Sequence, residues 1–318
     1  MSPEERSEPI VSLSTMWSQG RFRKDGDERD SMIEFANKAV ELGFSYAEIN
    51  YVIPPEGVDE LIESGLIAFS SVHSPCPRVK VGTRHSEALN LASKDETERK
   101  QAVQVAKDSV DTAVRANTKL LVVHLGGLPN VFDEEKKLRK MFDEGTQSGE
   151  EFARLGKQAI ERRHKEAPSH FPHAKQSLAD IAEYAAAKGV TIGLENRYHY
   201  HEYPDPDEMQ VLLADYPPEV AGFWLDIGHA EVLDRLGFLP HTRWLDELSS
   251  RCVGTHVHDV DGLADHRAPG FGTADWPHYT AKLPAHIPRV NEINQRQDED
   301  RVGGAIAYLR SVGALPKI

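Results

Sequence analysis

The sequence predicts a single (β/α)8 barrel with a helical insertion after the fourth strand. Three observations lead there. Short β-rich runs alternate with amphipathic helical runs eight times along the 318 residues, and parallel strands joined by crossover helices close at eight. No glycine-rich phosphate loop follows the first strand, as a doubly wound open sheet would require, because Ser14–Gly26 holds only the isolated Gly20 and Gly26. Ionisable residues stand at or near the ends of the second to eighth strands.

The elements follow in order. Ile10–Thr15 (IVSLST) is a strand, and Arg29–Leu42 a helix stopped by Gly43. Tyr46–Asn50 is the second strand, Val58–Glu63 a short helix closed at Ser64-Gly65, and Leu66–Val72 the third strand. Asp95–Ala116 is a long helix with Ser93 as its expected N-cap, and Lys119–His124 is the fourth strand. The charged stretch Asp133–Glu166 lies in an insertion over about residues 128–170. Its run Asp133–Lys140 (DEEKKLRK) is expected to form a solvated helix face, and the insertion a lid or a subunit contact. Ala174–Ala187 is a helix before the fifth strand, Val190–Glu195. Pro206–Ala214 precedes the sixth strand, Ala221–Asp226. Ala230–Leu236 and Thr242–Leu248 precede the seventh, Cys252–His258. Trp276–Leu283, the eighth strand Arg289–Ile293 and the helix Glu299–Ser311 complete one domain over residues 1–318.

Composition narrows the functional classes. Hydrophobic residues make up 39% and charged residues 28%, and no apolar run reaches the ~18–20 residues of a membrane helix. The opening MSPEERSEPI has no basic segment followed by an apolar one, so no secretory signal is expected. Only Cys76 and Cys252 occur, far apart, which excludes a disulfide scaffold and a zinc finger and points to a reducing, cytoplasmic setting. A net charge of −14 disfavours nucleic acid as a partner.

In such a barrel the active site is built from the carboxyl ends of the strands. Glu48 lies on strand two, His73 after strand three and His124 at the end of strand four. Glu195 ends strand five and Asp226 strand six, with His229 three residues on. His256, His258 and Asp259 close strand seven, and Glu292 lies on strand eight. Carboxylates converging on one rim repel unless a cation neutralises them. Imidazole with carboxylate and no thiolate suits Zn2+, Mn2+ or Fe2+ better than Mg2+.

These motifs, GLENRYHYHE, WLDIGHAEVL, THVHDVDG with DHRAPGFGTADW, and VNEI, resemble the xylose-isomerase-like TIM-barrel superfamily. That group holds sugar and sugar-phosphate isomerases and epimerases and the endonuclease IV type of apurinic-site nuclease. The resemblance implies a divalent metal, Zn2+ or Mn2+, held by Glu195, Asp226, His256 and Glu292, with His229 as a substrate contact or additional ligand. It also implies that Glu195 and Glu292 act as acid and base. The nuclease branch adds histidines matching His73 and His124, and an Asp-x-His motif that here reads Asp265-His266 without its spacer. His73, His124, His229 and His266 are therefore candidate ligands of a second or third metal.

The expected reaction is isomerisation or epimerisation of a small sugar or sugar phosphate through a metal-stabilised enediolate. Arg197, His258 and Trp17 are candidate substrate contacts, Trp17 as an apolar wall or simply as packing. His199 and His201 read as lid residues, extra ligands or a polar loop, and Cys76 as a buried thiol or a reactive one at the mouth. A multi-zinc hydrolase, a lyase and a non-catalytic sugar- or metal-binding barrel are the alternatives, and a homo-oligomer is compatible with all of them.

Overall fold

The computed structural model describes residues 8–23, 26 and 29–316. Met1–Ser7, part of the opening on which the secretory expectation rests, lie outside the described residues, as do residues 24–25, 27–28 and 317–318.

Eight parallel strands close into a barrel in sequence order. They are β1 (Val11–Ser14), β2 (Tyr46–Ile49), β3 (Ala68–His73), β4 (Leu120–Val123), β5 (Thr191–Glu195), β6 (Ala221–Asp226), β7 (Cys252–Val257) and β8 (Arg289–Asn291). Closure is β8 against β1, with Val11 opposite Arg289. The predicted strands are all present, several a residue or two shorter. His124, His258 and Glu292 fall just beyond the strand ends, where the chain turns out of the ladder.

Around the barrel run α1 (Met32–Glu41), α2 (Pro55–Ser64), α3 (Glu96–Arg115), α6 (Phe171–Ala187), α7 (Pro206–Leu213), α8 (Ile227–Arg235), α9 (Thr242–Leu248), α10 (Trp276–Lys282) and α11 (Glu299–Ser311). Their apolar faces bury Phe35, Leu61, Val110, Leu178, Leu212 and Leu309 against the strands. The cap of α3 is corrected: Asp95, not Ser93, accepts from the Thr97 N–H, while the Ser93 hydroxyl donates to Glu98.

The insertion forms α4 (Asp133–Asp143) and α5 (Glu150–Glu166), packed on each other. Its charge run is solvated except at Glu135, which is fully buried. Two hairpins not predicted from the sequence stand at the loops, Lys80–Val81 with Arg84–His85 and Asp259–Asp261 with Ala264–Arg267. They are too short for alternation to register. Among the described residues no helix is long and apolar enough to cross a membrane.

Candidate metal centre

Side chains two apart on a strand share a face, so Trp224 and Asp226 on β6 enter the same interior. The indole of Trp224 plugs the barrel with Val122 and Val290. Glycines on the flanking strands make the room: a Cβ on Gly254 would lie 2.0 Å from the Trp224 ring, and one on Gly193 2.9 Å. One step further along β5, β6 and β7 come Glu195, Asp226 and His256, with Glu292 just past β8. They form a charged layer above an apolar floor, and the Trp224 ring meets His256 edge-on at 5.2 Å.

The four converge. His256 Nδ1 lies 3.1 Å from Glu292 Oε2 and 3.5 Å from both Glu195 Oε1 and Asp226 Oδ2. A tetrahedron of donors at ~2.0–2.2 Å from an ion has edges of about 3.3–3.6 Å, close to this spacing. Two further facts make the set fit a cation. His256 Nδ1 and Glu195 Oε1 are buried atoms without a hydrogen-bond partner among the described residues, although such atoms are normally satisfied. All four side chains, and Glu48 beside them, are sealed from solvent, where uncompensated carboxylates are costly.

Surrounding groups orient the donors. His256 Nε2 donates to Glu48, 3.2 Å from both carboxylate oxygens, which turns Nδ1 toward the set. Glu48 is itself held by the hydroxyls of Ser71 at 2.7 Å and Ser14 at 3.3 Å. Asn50 Nδ2 donates to Glu292 Oε1 at 2.8 Å. The Asp226 carboxylate accepts from the His229 backbone N–H at 2.7 Å and from His258 Nε2 at 3.0 Å, and Asn196 pairs with the Asp226 backbone.

Titration reflects the crowding. Burial alone would push Glu195 up, but the imidazoles of His124 and His256 outweigh it and hold that carboxyl well below the usual range. Glu292, likewise opposed by burial, is held at about 2 by His256 and His266. Burial would lower His256, yet Glu292, Glu48 and Glu195 raise it well above the ordinary imidazole value. The carboxylates thus draw positive charge onto this ring, and a divalent ion would supply it instead.

Three neighbouring donor sets share members with the first, one of them His73, His256 and Glu292. His73 Nε2 and His124 Nε2 lie 3.1 and 2.9 Å from Glu195 Oε2. His73 Nδ1 donates to the Ser74 carbonyl at 2.9 Å, which leaves its Nε2 facing that carboxylate. His124 is pushed down to about 3 by burial and by Arg197, against the pull of Glu195. Asp226, His229 and His266 form the third set. His266 also meets Asp265 Oδ1 at 3.0 Å and Glu292 Oε2 at 3.3 Å, so the missing spacer does not keep Asp265 and His266 away.

Two expected substrate contacts are corrected. Trp17 is fully buried, its indole N–H donating to the Gln297 carbonyl at 2.9 Å, so it presents no wall to a ligand. His258 has both ring nitrogens engaged, Nε2 by Asp226 and Nδ1 by the His266 backbone N–H at 2.9 Å, so neither is free for a substrate. His199 donates to Glu135 of α4 at 2.7 Å, and Cys76 is buried with its thiol pushed up by burial. Arg197 does reach the site, 3.7 Å from Glu195 Oε1. Sequence reading passed over Asn50 and Tyr51, two and three residues after Glu48, and Asn196, directly after Glu195. Extending the strand-end rule to uncharged polar residues would have found them.

A closed parallel barrel with imidazoles and carboxylates gathered at the carboxyl ends of its strands defines a class of candidate metal-dependent (β/α)8 protein. The profile of the xylose isomerase-like TIM barrel family matches residues 36–312, and the chain belongs to that family. A D-tagatose 3-epimerase-like protein superposes with a TM-score of 0.62 at 18% identity, over 96% of this chain and 98% of its own. The 3-keto-D-glucoside 4-epimerase of E. coli superposes at 0.62 and 14% identity, over 95% and 99%. A Thermus thermophilus protein whose crystals were soaked in zinc chloride gives 0.60 at 20%, over 96% and 98%. An uncharacterized protein of Methanocaldococcus jannaschii is 23% identical over 201 residues, 61% of this chain and only 56% of that protein.

Proposed function

We propose that this protein is a divalent-metal-dependent isomerase or epimerase of a small polyhydroxy carbonyl compound. The observation that carries the reading is the placement of two glutamates around one donor set. Glu195 enters from β5 and Glu292 from beyond β8, with Asp226 and His256 between them. Each turns one oxygen to the shared centre, while the other is held elsewhere, Glu292 Oε1 by Asn50 and Glu195 Oε2 facing His73 and His124. A cation bound there would supply Lewis acidity to a substrate carbonyl and its neighbouring hydroxyl. One glutamate takes the proton α to the carbonyl, and the same or the other returns it. The buried floor of Trp224 keeps bulk water from beneath the reacting carbon. The family membership and the epimerases among the structural neighbours support this reading.

The test is solvent deuterium incorporation at the α-carbon across free aldoses, ketoses and their phosphate esters. Glu195→Gln and Glu292→Gln should each lower exchange ~10²–10⁴-fold, the range of a lost acid–base group. Absence of exchange throughout the panel would remove the reading.

A second reading, a multi-zinc hydrolase, is favoured by the donor sets that share members with the first. Elemental analysis separates them: one equivalent of metal supports the isomerase, three the hydrolase.

A further inference from the structure

The loop after β5 carries a His-x-His pair, His199 and His201, and the insertion sets a buried carboxylate against it. Glu135 of α4 is fully buried, and its Oε1 lies 2.7 Å from His199 Nδ1. The rings of His199 and His201 are 5.5 Å apart. One donor atom from each of the three residues lies within 4.8 Å of the other two, and none of the three belongs to the sets at the strand ends. A second observation points to a ligand. His201 Nδ1 is a buried atom with no hydrogen-bond partner among the described residues, where such atoms are normally satisfied.

The backbone beneath the donors is fixed. Tyr200, between the two histidines, stacks on Phe238 at 4.4 Å and donates its N–H to Glu135 Oε2 at 3.1 Å. The Glu202 N–H closes the turn on the His199 carbonyl at 3.1 Å, and the His201 carbonyl accepts from the Leu128 N–H at 2.9 Å. A Cβ on Gly127 would lie 2.8 Å from Glu202 Cα, so the loop after β4 presses on this turn and needs glycine there. The cation now beside Glu135 is Arg139, whose Nε and Nη2 donate to Oε1 at 3.0 and 2.8 Å. It does not exhaust the carboxylate, which offers about four lone-pair sites. Arg139 also donates to the Tyr198 carbonyl at 2.9 Å and lies over the Tyr198 ring at 4.2 Å, so it keeps partners when an ion enters.

We propose that Glu135, His199 and His201 bind a Zn2+ ion that fastens the insertion to the loop after β5, apart from the chemistry at the strand ends. Two imidazoles and one carboxylate suit zinc and leave its fourth position to water. The His199 side chain is 32% exposed, so water and the ion have a way in. The ion takes the place of the proton between His199 Nδ1 and Glu135, and the ring carries its proton on Nε2 instead. The set at the strand ends brings three carboxylates, Glu195, Asp226 and Glu292, against one here, so it fills first and this site takes a later equivalent.

The test is equilibrium dialysis of chelator-treated protein against Zn2+, followed by elemental analysis. Wild type should hold one equivalent more than His201→Gln and one more than His199→Gln. Both variants keep the strand-end sets, so the difference counts this site alone, and the zinc left in the variants is the stoichiometry at the strand ends. Equal zinc in wild type and the two variants would overturn the proposal. A second measurement needs no variant. The Tyr200 amide, which donates to Glu135, can open only by loosening the site. At free zinc ten times the Kd of the last equivalent, its hydrogen exchange should slow about 10-fold. An exchange rate unchanged by that last equivalent would overturn the proposal as well. Neither readout depends on a sugar or on turnover, so the site stands or falls separately from the isomerase reading.

Discussion

Glu48 shows how much of the candidate centre depends on a residue outside the converging donor set. It lies on β2, far in sequence from His256, and receives the ring proton that decides which nitrogen faces the donor set. Glu48→Gln can still accept that proton but loses the charge that favours a basic ring. Loss of such a partner typically costs 10- to 100-fold in metal affinity, and competition against a chromogenic chelator should show a loss of about that size. An unchanged affinity would mean that the ring is oriented by packing alone. A second residue-scale device sits away from the centre. His241 pairs with Asp234 through Nδ1 and with Asp275 through Nε2 at 3.3 Å, and chiefly the Asp234 bond raises it above its usual 6.5. A raised imidazole stabilises fully below its unfolded value and loses that contribution as pH climbs through the folded one. The advantage of wild type over His241→Gln in urea midpoint should therefore shrink between about pH 6 and pH 9. A constant difference would assign the residue to packing. Glu195, Asp226, His256 and Glu292 were legible in sequence because strand ends fix where an acid goes. The engagement of His258 and Trp17 was not, since both depend on partners distant in the chain, Asp226 and Gln297.

At the scale of elements, the insertion is a clamp on the loop after β5. Glu135 of α4 accepts from the Tyr200 N–H at 3.1 Å and from His199, and Arg139 donates to the Tyr198 carbonyl at 2.9 Å. From α5, Arg163 donates to the carbonyls of Tyr200 at 2.7 Å and Glu202 at 3.1 Å and pairs with Asp205 and Glu208. That loop carries Arg197 and Glu202, so helices remote from the barrel hold in place the arginine that reaches Glu195. The charge pattern of Asp133–Lys140 predicted a helix correctly, but one acid among seven charged residues gives no hint that it turns inward. Arg163→Met would strand two carboxylates that are mostly buried. Breaking such a network costs about 3–5 kcal/mol, readable as a lower urea midpoint with an unchanged slope. If the midpoint holds, the clamp is dispensable. The element boundaries were legible wherever a cap or glycine marked them, as at Gly43 and Gly65, whereas the hairpins at the rim are fixed by tertiary contacts.

For the whole molecule, the barrel brings Glu48, Glu195, Asp226 and Glu292 together in a sealed interior, and the fold must tolerate that concentration of charge with or without an ion. Without one, His256 and His266 carry the compensation, each raised well above the ordinary value against the pull of burial. A proton and a metal then compete for His256 Nδ1, so binding an ion must release the proton. The sign follows: affinity rises with pH until the ring is already neutral, and acid weakens it. An ion at 1,000 times its Kd stabilises the native state by ~4 kcal/mol, which for a chain of this size is a Tm increase on the order of 5–10 °C. Calorimetry of chelator-treated protein, before and after one equivalent of Zn2+ or Mn2+, should show this increase growing between about pH 5 and pH 8. His256→Gln should abolish most of the increase, whereas His199→Gln, whose partner is Glu135, should keep it. If the shift is independent of pH, or survives loss of His256, the ion is held elsewhere and the convergence of the strand ends has another purpose.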